Sequence, residues 1–427
     1  MINLIPTLAH RLDAVVIDNL HQAKQQIVQW AAGFPYAQVL DNCQSEVDRY
    51  GEYELLVGVS SKNATYIGWE AVREAVGGKW LMGGIAYESK NIFEPKLSSR
   101  PEAAIEVPEA CFFEPETVIC IRRGSNMLEV LGDPQGIKEA LKRKPRKPVL
   151  SSSPLFSSNF SKAEYLRTVR ALQQHIEEGD CYEINLSQIF TAKQRLELPE
   201  DIFLKLLDIS PVPFAAMLKW DSYWLLCASP ERFLQKKEDI IRTQPIKGTA
   251  ARDKRSAQDK QNKAALRHSP KEQAENVMIV DLSRNDIYRV CKTNTVRVPD
   301  LFEIQAFPTV YQIVSTIEGR LDPSIGEVDI IEHIFPPGSM TGAPKVRTME
   351  LIDAYESDGR GMYAGSVGYF SPDGNFDFNV VIRALQYDDL QGKLAYQVGG
   401  AITWDSDPEA EYEETLLKAA AIRKIWE

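Results

Sequence analysis

The sequence predicts a mixed α/β (α+β) fold, and three neighbouring features carry that prediction. Ser161-Lys162-Ala163-Glu164 has the form of a capping box, a hydroxyl residue followed three positions later by glutamate. Tyr165, Val169, Leu172 and Ile176 then recur at helical spacing until Gly179 offers a C-terminal stop. Directly afterwards Tyr182, Ile184 and Leu186 alternate with Glu183, Asn185 and Ser187, the period of a half-buried strand. Apolar, β-rich stretches at residues 53–59, 117–122, 223–227, 364–370 and 394–400 extend the strand inventory on both sides.

With 427 residues, 44% of them hydrophobic, the chain can bury a large core. Its formal net charge of −11 opposes any general affinity for nucleic acid or anionic membranes, so neither is an expected partner. The N-terminus lacks a charged region followed by a long apolar one, and no stretch approaches the ~20 apolar residues that span a bilayer. A cytoplasmic location is therefore expected. Cysteines stand at 43, 111, 120, 181, 227 and 291 without a CxxC, which fits reduced thiols rather than a disulfide framework or a zinc site. The sharpest change of composition is the basic, proline-bearing run at 142–148 followed by Ser151-Ser152-Ser153-Pro154. It suggests an N-terminal lobe over 1–150 and a catalytic domain over 151–427, although a surface loop within one domain has the same composition.

Two helices each offer a pair of carboxylates. Ser269-Pro270-Lys271-Glu272 combines an N-cap serine, proline at the first helical position and glutamate three residues after the cap. Glu272 and Glu275 then share one face. The last helix opens on Asp407-Pro408 and places Glu411, Glu414 and Lys418 on one face in the same way. Mg2+ prefers carboxylate oxygens, retains waters and completes its shell with substrate, so one direct ligand from each helix would suit it. Acidic residues in a first helical turn also simply complement the helix dipole. A di-iron centre would need ExxH on two helices, and the five histidines do not supply it.

Lys247, in Pro245-Ile246-Lys247-Gly248-Thr249, is expected on a short turn at a strand end after Ile240-Ile241-Arg242-Thr243. Such a lysine becomes a nucleophile only where burial or a neighbouring cation lowers its pKa. Glu231, in Ser229-Pro230-Glu231-Arg232-Phe233, stands where the strand at 223–227 emerges, and burial there would raise its pKa and suit it to general acid work. An ion pair with Arg232 or Arg242 is the alternative. Gly338 to Lys345 and Gly399-Gly400-Ala401 are read as glycine-rich turns whose amides could receive an anion. Neither has the form of a nucleotide-binding loop.

Together these segments resemble the chorismate-utilising enzymes, the family of anthranilate, aminodeoxychorismate, isochorismate and salicylate synthases. The resemblance runs from about residue 160 to the C-terminus. It rests on the segments 179–188, 229–233, 245–249, 274–282, 341–345 and 411–415. It implies large β-sheets packed against each other with helices outside, a site between them, and chorismate bound through Mg2+. By motif position Glu275 and Glu414 are the implied direct metal ligands, with Glu272 and Glu411 holding metal-bound water. Arg383 and Tyr363 match positions that hold the enolpyruvyl carboxylate. Lys418 and the Gly399-Gly400 amides match contacts near the ring carboxylate, and Thr341, Gly342 and His333 match residues lining the pocket.

Lysine at 247 resembles the aminodeoxychorismate branch, since anthranilate synthases carry alanine there. The implied reaction is attack of Lys247 on C2 as the C4 hydroxyl leaves with a proton from Glu231, followed by ammonia at C4. A glutaminase cysteine in a Gly-x-Cys-x-Gly setting is missing from the sequence, so the implied source of ammonia is a separate glutamine amidotransferase subunit. The N-terminal lobe of relatives also binds tryptophan; here Val39-Leu40-Asp41-Asn42 departs from the Leu-Glu-Ser-like pattern of that site. Pro337 replaces a usual glycine, and Ala401 takes the third place of a glycine triplet. Anthranilate, isochorismate or salicylate synthesis on the same fold, and a pyridoxal phosphate enzyme with Lys247 as its Schiff base, are the competing readings.

Overall fold

The computed structural model describes residues 13–97, 101–150, 152–308 and 310–427. Two large sheets form its centre. The twelve-stranded sheet is built around Glu183–Lys193 and Lys393–Ile402, the ten-stranded one around Val310–Arg320 and Arg232–Lys237, and each strand pairing within them is antiparallel. Apolar residues pack in three layers. Leu56, Met82, Phe113, Leu225 and Val367 fill the space between the sheets. The outer face of the first sheet is covered by helices Leu20–Ala31, Pro199–Ile209 and Pro408–Arg423. Helices Trp69–Ala75 and Pro270–Tyr288 pack on strands of the second, while Lys162–Glu177 and Lys345–Tyr355 pack on strand Glu183–Lys193 of the first. This is the expected arrangement of sheets packed on each other with helices outside.

The first 150 residues contribute strands to both sheets. Tyr36–Asp41 pairs with Phe214–Trp220, and Leu81–Ile85 pairs with Ser366–Phe370. The basic stretch near 146 is held down against the body: Arg146 forms ion pairs with Glu200, at 2.8 Å, and with buried Asp201. The six cysteines are free thiols, and among the described residues no helix is long and apolar enough to cross a membrane.

Local expectations hold at the helix starts. Ser161 and Glu164 form the reciprocal capping box of helix Lys162–Glu177, with Tyr165, Val169 and Leu172 buried. Ser269 and Asp407 accept backbone N–H groups at the starts of Pro270–Tyr288 and Pro408–Arg423. The strand Glu183–Lys193 differs from its expected half-buried form, because residues 183–190 are buried on both faces. Ile184 and Leu186 join one apolar layer, while the polar face of Glu183, Asn185 and Ser187 turns into the interior. That face is the floor of the site.

Arg232 ties the two sheets together. It is 1% exposed, forms a fork with Asp48 at 3.0 and 3.2 Å, and a second with Asp377 at 2.9 and 3.0 Å. Neither partner is Glu231, which is thereby left out of the pairing that the sequence offered as an alternative; Arg242 pairs with Glu318 instead, at 2.7 Å. Arg232→Met removes the cation shared by two buried carboxylates, and a loss of about 3–5 kcal/mol of stability is expected. Urea unfolding measures it; a midpoint unchanged from wild type would show that the fork is not what joins the sheets.

Candidate active site

Lys247 lies in strand Ile246–Ala251, which pairs with Val310–Arg320. The register shifts between Lys247 and Thr249, with Gly248 at φ +84°, so the lysine stands on a glycine bulge rather than on the expected turn. Any larger residue at 248 would be strained there, and its Cβ would come 2.7 Å from Glu272 Oε2. The bulge re-aims Lys247 across the gap between the sheets. Its ammonium donates to Glu183 Oε1 at 2.5 Å, both side chains being nearly closed to solvent. Burial pulls the lysine pKa down, but Glu183, Glu275 and Glu231 outweigh it and the net shift is upward. The lysine is therefore a protonated ion-pair partner in the resting site, contrary to the lowered pKa that a ready nucleophile would show.

Glu231 follows strand Tyr223–Ser229 and is 4% exposed. Burial pushes its carboxyl up to about 7, while the Ser339 hydroxyl, which donates to Oε1 at 2.6 Å, and the charges of Lys247 and Arg383 pull the other way. This is the protonation behaviour that general acid catalysis at neutral pH requires.

The paired glutamates come together from opposite sides. Burial raises Glu272 and pushes Glu275 up to about 7, with Glu183 and Glu272 adding to the effect on Glu275. Glu411 is buried, accepts from Ser406 at 2.8 Å and is also raised by burial. Glu414 is held by Lys418 at 2.8 Å, and Lys271 lies 3.8 Å from Glu275. Glu272 and Glu414 are near enough for their charges to raise the Glu272 pKa. The four carboxylates therefore lie close enough that like charges repel, and Lys271 and Lys418 stand in as counter-ions. An all-oxygen carboxylate donor set of this kind fits Mg2+. Glu275 and Glu414 would hold the ion directly, with Glu272 and Glu411 beside them. The group His175, Glu178 and Asp180 is a tighter cluster elsewhere, but its members pair with Tyr355 and Arg347.

The remaining expected residues fall into two groups. Thr341 is buried, and Gly342, at φ +148°, pairs with Ile184 directly beside Glu183. A Cβ at 342 would lie 2.1 Å from the Glu183 carbonyl, so glycine is what lets this turn close on the strand. Gly399 and Gly400 continue strand Lys393–Ile402 opposite Ser187 and Leu186 rather than forming a turn, and Lys418 donates to the Gly399 carbonyl at 2.9 Å. Arg383, at φ +51°, makes no ion pair among the described residues; burial lowers its pKa and Glu231 opposes the shift. Tyr363 is 4% exposed. His333 is not brought to this site: it is exposed at the end of helix Glu327–Ile334, with Nδ1 on the Asp329 carbonyl at 2.6 Å.

Glu183 and the Arg360–Glu356 pair were not singled out from sequence. Fully buried Arg360 donates to Glu356 at 2.7 and 2.8 Å, to the Met340 carbonyl at 2.7 Å and to the Asn185 carbonyl at 3.1 Å. Glu356 in turn accepts from the Ser187 amide and hydroxyl at 2.8 and 2.7 Å. The pair locks the turn before Thr341 to the strand of Glu183. An Arg and Glu four residues apart gave no more than an ordinary helical pairing to read.

Residues 22–424 match the family of chorismate binding enzymes, and the chain belongs to that family. Within it, the chain is 39% identical over 346 residues to aminodeoxychorismate synthase component 1 of Klebsiella aerogenes, covering 80% of this chain and 76% of that protein. It is 41% identical over 269 residues to the protein of the same name from Escherichia coli K12, covering 63% of this chain and 59% of that one. The fold is shared with anthranilate synthase component I from Streptococcus pneumoniae TIGR4, with TM-score 0.74, 24% identity, and 98% and 94% of the two chains covered. It is shared also with the menaquinone-specific isochorismate synthase of Escherichia coli, with TM-score 0.77, 17% identity, and 99% and 95% covered.

Because Glu275 must lose its proton to bind a cation, Mg2+ affinity should fall as pH drops through about 7, by about tenfold per unit. Calorimetric titration of Mg2+ into the chain at about pH 6 and about pH 8 measures this, and equal constants would remove Glu275 from the ligand set.

Proposed function

We propose that this chain aminates chorismate at C4 to give 4-amino-4-deoxychorismate, using ammonia delivered by a separate glutamine amidotransferase, as a step toward p-aminobenzoate and folate. The observation that carries the proposal is Lys247 aimed by its bulge at Glu183, with Glu231 as a buried acid beside it. The names of the relatives support the same reading. Mg2+ among Glu272, Glu275, Glu411 and Glu414 would supply positive charge to the ring carboxylate. Arg383, a guanidinium without an ion pair among the described residues, and Tyr363 would receive the enolpyruvyl carboxylate.

Glu183, 2.5 Å away, takes the proton from the Lys247 ammonium and leaves a free amine. The amine forms a bond to C2, the ring double bonds shift, and the C4 hydroxyl leaves as water with the proton of Glu231. Ammonia then bonds to C4, and the electron pair of the C2–N bond returns to Lys247. A separate lyase would convert the product to p-aminobenzoate. Tryptophan, if bound, would take the cavity between the sheets lined by Leu40, Tyr53, Pro213, Phe214 and Tyr369.

Chorismate, Mg2+ and ammonium with the purified chain should yield aminodeoxychorismate, and p-aminobenzoate only after a lyase is added. Anthranilate formed without lyase, or isochorismate formed without ammonium, overturns the proposal; a colourless, fully active preparation excludes pyridoxal phosphate. Lys247→Ala should abolish amination while folding and chorismate binding persist, and unchanged turnover would remove its role as nucleophile. Only the protonated form of Glu231 donates, so kcat should fall as pH rises through about 7. Glu231→Gln should cost about 10²–10⁴-fold in kcat and flatten that limb of the profile.

A further inference from the structure

Glu231 borders a second space besides the cleft it shares with Lys247 and Arg383. A small cavity lies behind it, enclosed by Glu231, Thr243, Ser283, Asp286, Pro337 and Ser339, with Phe233, Ile334 and Val380 as its apolar walls. It has room for about one water-sized molecule. The polar lining is rich in acceptors. The Ser339 hydroxyl donates its proton to Glu231 and keeps its lone pairs; the Ser283 hydroxyl has no partner among the described residues. Asp286 is buried, and one of its oxygens accepts from Lys345 at 2.6 Å. The two cations at hand are engaged: Lys345 holds Asp286 and the Ile334 carbonyl, and Arg232 holds Asp48 and Asp377. The free oxygen of Asp286, the carboxyl oxygens of Glu231 and three hydroxyls around one small volume favour a compact molecule able to donate in several directions, and the second charge needed to hold a cation is supplied once Glu231 has given up its proton.

The cavity also sits apart from the metal carboxylates. Ser283 and Asp286 follow Glu275 by two to three turns of the same helix, about 12–17 Å along its axis. A small molecule can therefore occupy it without entering the space left for the metal and the ring carboxylate.

We propose that this cavity is the nitrogen subsite, holding one ammonium ion against Glu231 until C4 is ready to accept it. The inference rests on the amination reading above. Once the hydroxyl has left with the proton of Glu231, that side chain is a carboxylate. Ammonium returns a proton to it and becomes ammonia, which bonds to C4 while the C2–N bond to Lys247 breaks and the ring double bonds move back. The lysine leaves as a neutral amine and recovers its proton from Glu183. Glu231 is protonated again, and the net exchange is chorismate plus ammonium for the aminated product plus water. Pro337 closes one side of the cavity with a rigid ring, which leaves room for ammonium rather than for a substituted amine.

Ser283→Leu fills the cavity without touching the cleft and tests the proposal in the full chain with chorismate and Mg2+ saturating. KM for ammonium should rise by about tenfold or more, with KM for chorismate within about twofold of wild type. The Lys247 adduct formed without ammonium, read by intact mass, should persist. An unchanged ammonium KM in a variant with wild-type melting behaviour overturns the subsite, as does a wild-type enzyme that accepts methylammonium as readily as ammonium. The second measurement needs no variant and so decides the matter even where Ser283→Leu misfolds. Failure of the amination reading is separate: there wild type forms no aminated product from ammonium at all.

Discussion

The Lys247–Glu183 ion pair is the contact on which the cleft depends, because it joins the two sheets at a point where both side chains are nearly closed to solvent. Burying two charges costs more than an exposed pair recovers, and such a pair can often be replaced by apolar residues without loss of stability. Its presence is therefore better explained by chemistry than by folding. The second oxygen of Glu183 is buried without a hydrogen-bond partner in the structure, a cost that a purely structural carboxylate would not carry. On the proposed reaction, that oxygen would let Glu183 take the proton that Lys247 gives up while keeping its first contact.

Three carboxylates, Glu183 of this pair with buried Glu231 and half-buried Glu275 beside it, are set to different tasks by their surroundings. Glu183 has a cation at contact distance and stays paired. Glu231 has the Ser339 hydroxyl and the Ile246 amide beside it and the charges of Lys247 and Arg383 further off, so burial dominates and it holds a proton near neutrality. Glu275 feels Glu183 and Glu272 as well as burial, and a divalent cation would relieve all of these at once. Moving any one of them would alter the other two, which is why the rigid supports matter. The Arg360–Glu356 lock fixes the strand of Glu183, and the Arg232 forks fix the strand that begins beside Glu231.

The features legible in the sequence were the local ones. Caps, proline at the first helical turn and i, i+3 carboxylates place Glu272, Glu275, Glu411 and Glu414 correctly on two helices, since each depends on a few adjacent residues. Pairing across long separations was not legible. Glu183 lies 64 residues from Lys247, and nothing local distinguishes it from the solvent face of a half-buried strand. The second sheet, which buries that face, is recruited partly from the first 150 residues, whose contribution to both sheets no compositional boundary reveals. The Gly248 bulge was read as a turn for a related reason: glycine permits both, and the partner strand at 310–320 decides between them. The reverse error appears at His333, whose motif position points to a pocket while its helix faces it outward.

Strain at the pocket points the same way as the electrostatics. Arg383 and Ala364 both adopt positive φ, +51° and +61°, which a residue with a Cβ holds only when its surroundings impose it. Here neighbouring backbone holds both: the Ala364 amide donates to the Val381 carbonyl at 2.9 Å, and the Ala228 amide of strand Tyr223–Ser229 to the Arg383 carbonyl at 3.1 Å. A relaxed backbone at 383 would let the guanidinium seek a carboxylate or solvent. Held as it is, Arg383 stays largely buried and short of a counter-ion, so an arriving anion meets a site whose desolvation cost was met during folding. The same reasoning links the strained arginine to the acid beside it: on the proposed reaction, a carboxylate that neutralised Arg383 would remove one of the charges that lower the Glu231 pKa and so keep Glu231 protonated until the hydroxyl leaves.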